Sequence, residues 1–102
     1  MMTKGEIATL LSSLGMTANM VADTLLSLGI RGNKKRCREC PIAQFLIKNN
    51  IPFSNDTGVS TSFFRIVAAG YTYYFEEYPN LCPIGDFIVA FDNGKYPQLE
   101  TP

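Results

Sequence analysis

At 102 residues and 11.3 kDa, the chain has room for one domain, spanning 1–102, with a modest core. A composition of 46% hydrophobic and 18% charged residues belongs to a globular protein and excludes wholesale disorder. The absence of histidine removes imidazole triads and histidine metal clusters, and a net charge of zero argues against a protein that coats nucleic acid nonspecifically.

Thr3 and Glu6 form the T-x-x-E pattern of a capping box. Ile7, Leu10, Leu11 and Leu14 then recur at helical spacing, and Gly15 is placed to stop this first helix. A second helix is expected from Thr17, burying Met20, Val21, Leu25 and Leu28 and ending at Gly29. Both helices end alike, Leu14-Gly15-Met16 and Leu28-Gly29-Ile30, with an apolar residue set to fold back on the last turn. Residues 31–39 read as a polar, basic loop. A third helix begins at Pro41, since proline at the first helical position forfeits no hydrogen bond. It buries Ile42, Phe45 and Leu46 and ends around Asn49-Asn50 and Ile51-Pro52. Residues 52–58 form a loop. Val59 to Val67 and Tyr71 to Phe75 read as a β-hairpin turning at Ala68-Ala69-Gly70, with Tyr71, Tyr73 and Phe75 on one face. Two strands alone are marginal, so the hairpin must pack on the helices or join a larger sheet. A last helix starts at Cys82-Pro83-Ile84, runs through Phe87, Ile88 and Phe91, and stops at Asn93-Gly94. The tail from Lys95 is expected to lie extended. The fold class is α+β: two N-terminal helices, a basic loop, a third helix, a hairpin and a closing helix.

Cys40-Pro41-Ile42-Ala43-Gln44-Phe45-Leu46 recurs as Cys82-Pro83-Ile84-Gly85-Asp86-Phe87-Ile88. The segments between do not align, so no duplicated domain is implied. Both copies read as a small cap followed by proline at the first position of a buried helix.

The zero net charge conceals a split. Residues 1–48 carry seven basic and three acidic side chains, a net of +4, and residues 49–102 carry two and six, a net of −4. Arg31, Lys34, Lys35, Arg36 and Arg38 gather in the loop before the third helix. A helix N-terminus favours an anion, and arginine forks around phosphate, so this loop and Cys40 form the leading candidate site. A solvated charged loop is the competing reading. Arg65 on the hairpin would add a second phosphate contact, and Tyr71 or Tyr73 would stack on a base. The same charge split would suit homo-oligomerisation.

Other chemistries find less support. Cys37, Cys40 and Cys82 are weak metal candidates, because zinc requires four ligands and the chain supplies three thiols and no histidine; no metal and no cofactor are expected. Cys37-x-x-Cys40 lacks the preceding strand of a redox motif. Glu76 and Glu77 would face opposite ways on a strand, and no glycine-rich phosphate loop is present, so the chain is not expected to be an enzyme. The second helix, with neither Arg nor Lys, is a poor reader of a DNA groove. No apolar run approaches a membrane span, no secretory signal is expected, and an odd cysteine count fits a reducing cytoplasm.

The segment Cys40-Pro41-Ile42-Ala43-x-Phe45-Leu46 resembles a C-P-[LI]-A-x-[YF]-L motif of small, uncharacterised bacterial and phage proteins. Phe91-Asp92-Asn93-Gly94-Lys95-Tyr96-Pro97 is similar to their closing F-D-x-G-x-[YF]-P. The resemblance covers about half the chain, from the second helix to Leu46 and over the final helix. It implies a phage or mobile-element accessory protein and assigns no residue a role. The expected function is therefore non-enzymatic binding of a phosphate-bearing ligand, a nucleotide signal or nucleic acid. The alternative is an inhibitor or adaptor that engages a host protein through the acidic, aromatic C-terminal half.

Overall fold

The computed structural model describes residues 3–36, 39–49, 59–62 and 64–101. Four helices pack with one small antiparallel sheet, the α+β architecture expected from the sequence: α1 (Lys4–Ser12), α2 (Ala18–Ser27), α3 (Pro41–Lys48) and α4 (Cys82–Asp92), with β1 (Ser60–Thr61), β2 (Arg65–Ala68) and β3 (Tyr71–Tyr74). The expected loop at 52–58 and the Asn50, Ile51 and Pro52 positions lie outside the described residues. No helix among the described residues is long and apolar enough to cross a membrane.

The helix ends follow local chemistry. The capping box is complete: the Thr3 hydroxyl accepts from the Glu6 N–H at 3.2 Å and the Glu6 carboxylate from the Thr3 N–H at 3.0 Å. These two hydrogen bonds, first the backbone one and then the side-chain one, hold the Glu6 carboxyl below its ordinary value of 4.5. Thr17 caps α2 through the Met20 N–H at 3.1 Å. At the other end Gly29 adopts a left-handed φ of 72°. Its N–H reaches the Leu26 carbonyl, and the Ile30 N–H reaches back to Leu25. This is the Schellman pair, and Ile30 is buried behind it. The end of α1 is different, because Met16 is 82% exposed and does not fold back. The buried face of α2 also differs from expectation. Val21, Ala22 and Leu25 are buried, whereas Met20 and Leu28 lie toward solvent.

The expected hairpin is the β2–β3 pair. Ala69 and Gly70 both have positive φ, 53° and 81°, the two-residue turn whose twist suits a hairpin. The first expected strand divides: Ser60 and Thr61 form β1, paired with Val67 and Ile66, and Arg65–Ala68 form β2. The sheet order is β1-β2-β3. Ile66, Ala68 and Tyr73 turn inward and join Leu11, Leu25, Leu46, Ile84 and Phe87 in one core. Helix α4 packs against both α2 and β1 and so links helices to sheet. The Tyr73 hydroxyl donates to the Lys4 carbonyl at 2.8 Å, and the Lys4 ammonium lies over the rings of Tyr73 and Tyr78, 5.5 and 5.4 Å from their centroids.

The repeated Cys-Pro-Ile segments are not structurally equivalent. Cys40 is the cap of α3 and Pro41 its first residue. A 3-10 turn at Pro79–Leu81 runs directly into α4, so Cys82 is already helical and Leu81 precedes it without a side-chain cap. Nor does the tail lie loose. Pro97–Leu99 forms another 3-10 turn, Leu99 is buried, and Glu100 makes a parallel bridge with Gly32. The Tyr96 hydroxyl donates to Asn19 Oδ1 at 2.7 Å, and its ring stacks on Phe87 at 5.3 Å.

Candidate functional site

The basic loop is anchored at both ends. Gly32 donates to the Leu99 carbonyl and accepts from the Thr101 N–H, both at 2.9 Å. The Asn33 N–H reaches the Glu39 carbonyl at 2.7 Å, and its side-chain amide donates to the Glu39 carboxylate at 3.1 Å. Gly32 sits so close to the residues entering α3 that a Cβ there would lie 2.4 Å from the Glu39 carbonyl oxygen and 2.6 Å from the Pro41 nitrogen. At the loop's tip Lys35 has φ 60°, and its backbone N–H donates to Asp92 Oδ1 at 2.8 Å, across 57 positions of sequence. This contact joins the loop to the end of α4.

Between these elements lies a pocket of about 300 Å³. Lys35 and Arg36 line it from the loop, Cys40 from the start of α3, Ser60 and Thr61 from β1, and Asp92 from α4. Val59 and Ile88 add apolar surface. The volume is at the small end of ordinary ligand sites. The two segments that carry the family resemblance thus meet here, through Cys40 and Asp92. Compared with known proteins, the chain matches no family model, no curated protein and no solved structure.

The other expected site residues divide. Arg31 is exposed at the loop's start and is not among the described residues that line the pocket. Lys34 is paired with Glu100 at 3.4 Å, and Arg36 with Glu39 at 3.2 Å on an exposed surface. Lys34 is therefore balanced by the acidic half, and Arg36 by a carboxylate of the basic half itself. Arg38 and Cys37 lie outside the described residues.

The start of α3 has little backbone to offer an anion. Pro41 has no N–H, the Ala43 N–H is taken by the Cys40 sulfur at 3.4 Å, and the Gln44 N–H by the Cys40 carbonyl. An anion in the pocket would meet the positive side chains and Ser60 rather than the helix end, because the Thr61 hydroxyl already donates to the Ser62 and Arg65 carbonyls. Cys40 itself is buried, and Cys82 is a half-buried free thiol. Among the described residues, no three Cys, Asp or Glu side chains gather as a metal group would require.

The stacking expectation on Tyr73 is corrected. Its ring is wholly buried, and burial, with Tyr78 and Tyr71 adding to it, pushes its phenol well above the ordinary value of 10.0. Tyr71 is half-buried against the same core. The aromatics on the sheet's solvent face are Phe64 and Tyr74, 57% and 43% exposed, with near-parallel rings 6.4 Å apart. Arg65 is exposed on that face with its guanidinium carbon 5.4 Å from the Phe64 centroid, and it is not among the pocket's lining residues. The sequence carried a signal for this: strict alternation puts Tyr74 opposite to Tyr73. Nothing local pointed to Ser60, Thr61 or Asp92.

Proposed function

We propose that this chain is a non-enzymatic binding protein that holds a phosphate-bearing ligand in the pocket between the basic loop, β1 and α4. The observation that carries the reading is the convergence of Lys35, Arg36 and Ser60, from two distant segments, on one pocket of about 300 Å³. Cationic side chains with hydroxyl neighbours suit phosphate oxygens, and the pocket's size suits a compact ligand better than a duplex. Capture of a nucleotide signal by a phage or mobile-element protein is the biological form of this reading, and it rests on the resemblance alone. The test is calorimetric titration with inorganic phosphate and adenosine 5′-monophosphate. Replacing Lys35→Ala together with Arg36→Ala should weaken binding about tenfold or more. Both residues are exposed, so the melting temperature should hold within about 2 °C. Unchanged binding in that double variant overturns the proposal.

A second reading, an adaptor for a protein partner, is favoured by the exposed Phe64–Tyr74 pair, since exposed aromatics are enriched at interfaces. It predicts a co-purifying protein that is lost on Phe64→Ser with Tyr74→Ser while anion binding is retained. Retention of that protein by the double variant removes this reading.

A further inference from the structure

We propose that the pocket selects an oxyanion that brings its own proton, phosphate or a terminal phosphate monoester, over sulfate and over the phosphodiesters of nucleic acid. This deepens the reading above and rests on it.

Asp92 carries the inference. Asp92 lines the same pocket as Lys35 and Arg36, with its Oδ1 at the Lys35 backbone N–H. An ionised carboxylate only accepts hydrogen bonds and has about four lone-pair sites on two oxygens. Among the described residues one donor reaches it, the Lys35 backbone N–H on Oδ1. The loop's charge-paired cations are directed elsewhere, Lys34 to Glu100 and Arg36 to Glu39. Asp92 therefore presents a negative charge and spare acceptor sites to whatever enters. A fully deprotonated oxyanion would set lone pair against lone pair there. An oxyanion bearing a P–OH group instead donates that proton to Asp92 as a short, charge-assisted hydrogen bond. Its remaining oxygens then accept from the Lys35 ammonium, the Ser60 hydroxyl and the Arg36 guanidinium nitrogens that Glu39 leaves open. Inorganic phosphate carries such a proton throughout the neutral range. A monoester carries it below a second pKa of about 6. Sulfate and phosphodiesters carry none.

The experiment is calorimetry at pH 5.5 with four probes: inorganic phosphate, methyl phosphate, dimethyl phosphate and sulfate. About three-quarters of methyl phosphate is protonated there. Dimethyl phosphate matches the single charge of protonated phosphate but has no proton to give. Sulfate has the greater charge, so simple attraction to Lys35 and Arg36 would favour it. The expected result is that phosphate binds about tenfold or more tighter than sulfate and dimethyl phosphate. Methyl phosphate binding with it identifies a phosphorylated ligand, and its exclusion identifies free phosphate; either supports the proposal. Asp92→Asn keeps an oxygen for the Lys35 N–H and puts a donor in place of the second oxygen. It should raise sulfate affinity and shrink the preference to within about threefold. Equal binding of phosphate and sulfate by the unaltered protein overturns the selectivity and leaves the phosphate reading standing. Binding of none of the four anions overturns both. The comparison on the unaltered protein decides the matter even if the variant folds poorly.

Discussion

Replacing Gly32 with alanine tests whether the basic loop is held by close backbone packing. The φ of Gly32 is not in the left-handed range, so alanine meets no conformational penalty and only space is at issue. The added Cβ would lie 2.4 Å from the Glu39 carbonyl oxygen, 2.6 Å from the Pro41 nitrogen and 2.7 Å from the Cys40 carbonyl carbon. All three are backbone atoms at the start of α3, so no side chain can swing aside. Overpacking of this kind costs about 1–3 kcal/mol. Shifting Gly32 also strains its two hydrogen bonds to Leu99 and Thr101, at about 1 kcal/mol each. The expected loss is about 3–5 kcal/mol. With an unfolding entropy of about 2.1 cal/mol/K per residue, the melting temperature should fall by about 14–23 °C, read by circular dichroism. Gly5→Ala is the matched control: it is helical and has nothing within 4 Å of an added Cβ. It should leave stability equal or raise it by about 0.5–1 kcal/mol. A Gly32→Ala protein melting within about 3 °C of the parent would refute the packing argument.

Three further predictions follow from the same packing. Leu99→Ala removes a wholly buried side chain from the docked tail and should cost about 2–5 kcal/mol in chemical denaturation, whereas Glu100→Gln, which breaks a half-exposed ion pair, should cost under about 1 kcal/mol. Ala69→Gly relieves a left-handed alanine at φ 53° and should stabilise by about 0.5–1 kcal/mol, read as a higher melting temperature. Tyr73 keeps its proton in the folded chain above its ordinary value of 10.0, so above that pH the unfolded chain binds fewer protons than the folded one. Its stabilising contribution is intact below pH 10 and is lost as pH rises further. Tyr73→Phe should flatten that alkaline decline, and an equally steep decline in the variant would show that another group causes it.

Helix ends were the most legible part of the fold. The Thr3–Glu6 box, the Thr17 cap and the Gly29-Ile30 ending depend on backbone groups a few residues apart, and those are written locally. The α2 face drifted because Met20 and Leu28 flank the buried stripe, and only the position of α4 decides which edge of the stripe is covered. The Cys82 copy was misread as a cap because Pro79 starts a 3-10 turn that has already begun the helix. The tail was misread because its partners, Asn19 and Gly32, are far away in sequence. The site divides in the same way. Lys35, Arg36 and Cys40 stand out as a charged run before a proline-led helix. Asp92 was visible only as part of a motif, since a single acidic residue at a helix end ordinarily has no meaning without its cross-chain partner.

The bridge between Gly32 and Glu100 also bears on how the protein is made. Gly32 meets its bridge partner only once residue 100 has been translated, and Lys35 waits on Asp92 in the same way. While the chain is still emerging from the ribosome, α1 and α2 can already form with their own caps, because those contacts are short in sequence. The basic loop has local contacts of its own, from Asn33 and Arg36 to Glu39, but its anchors at Asp92, Leu99 and Thr101 form only after those residues are made. A nascent chain that stops short of Asp92 would therefore carry its first helices formed and the pocket lined by Lys35, Arg36, Ser60 and Asp92 unassembled.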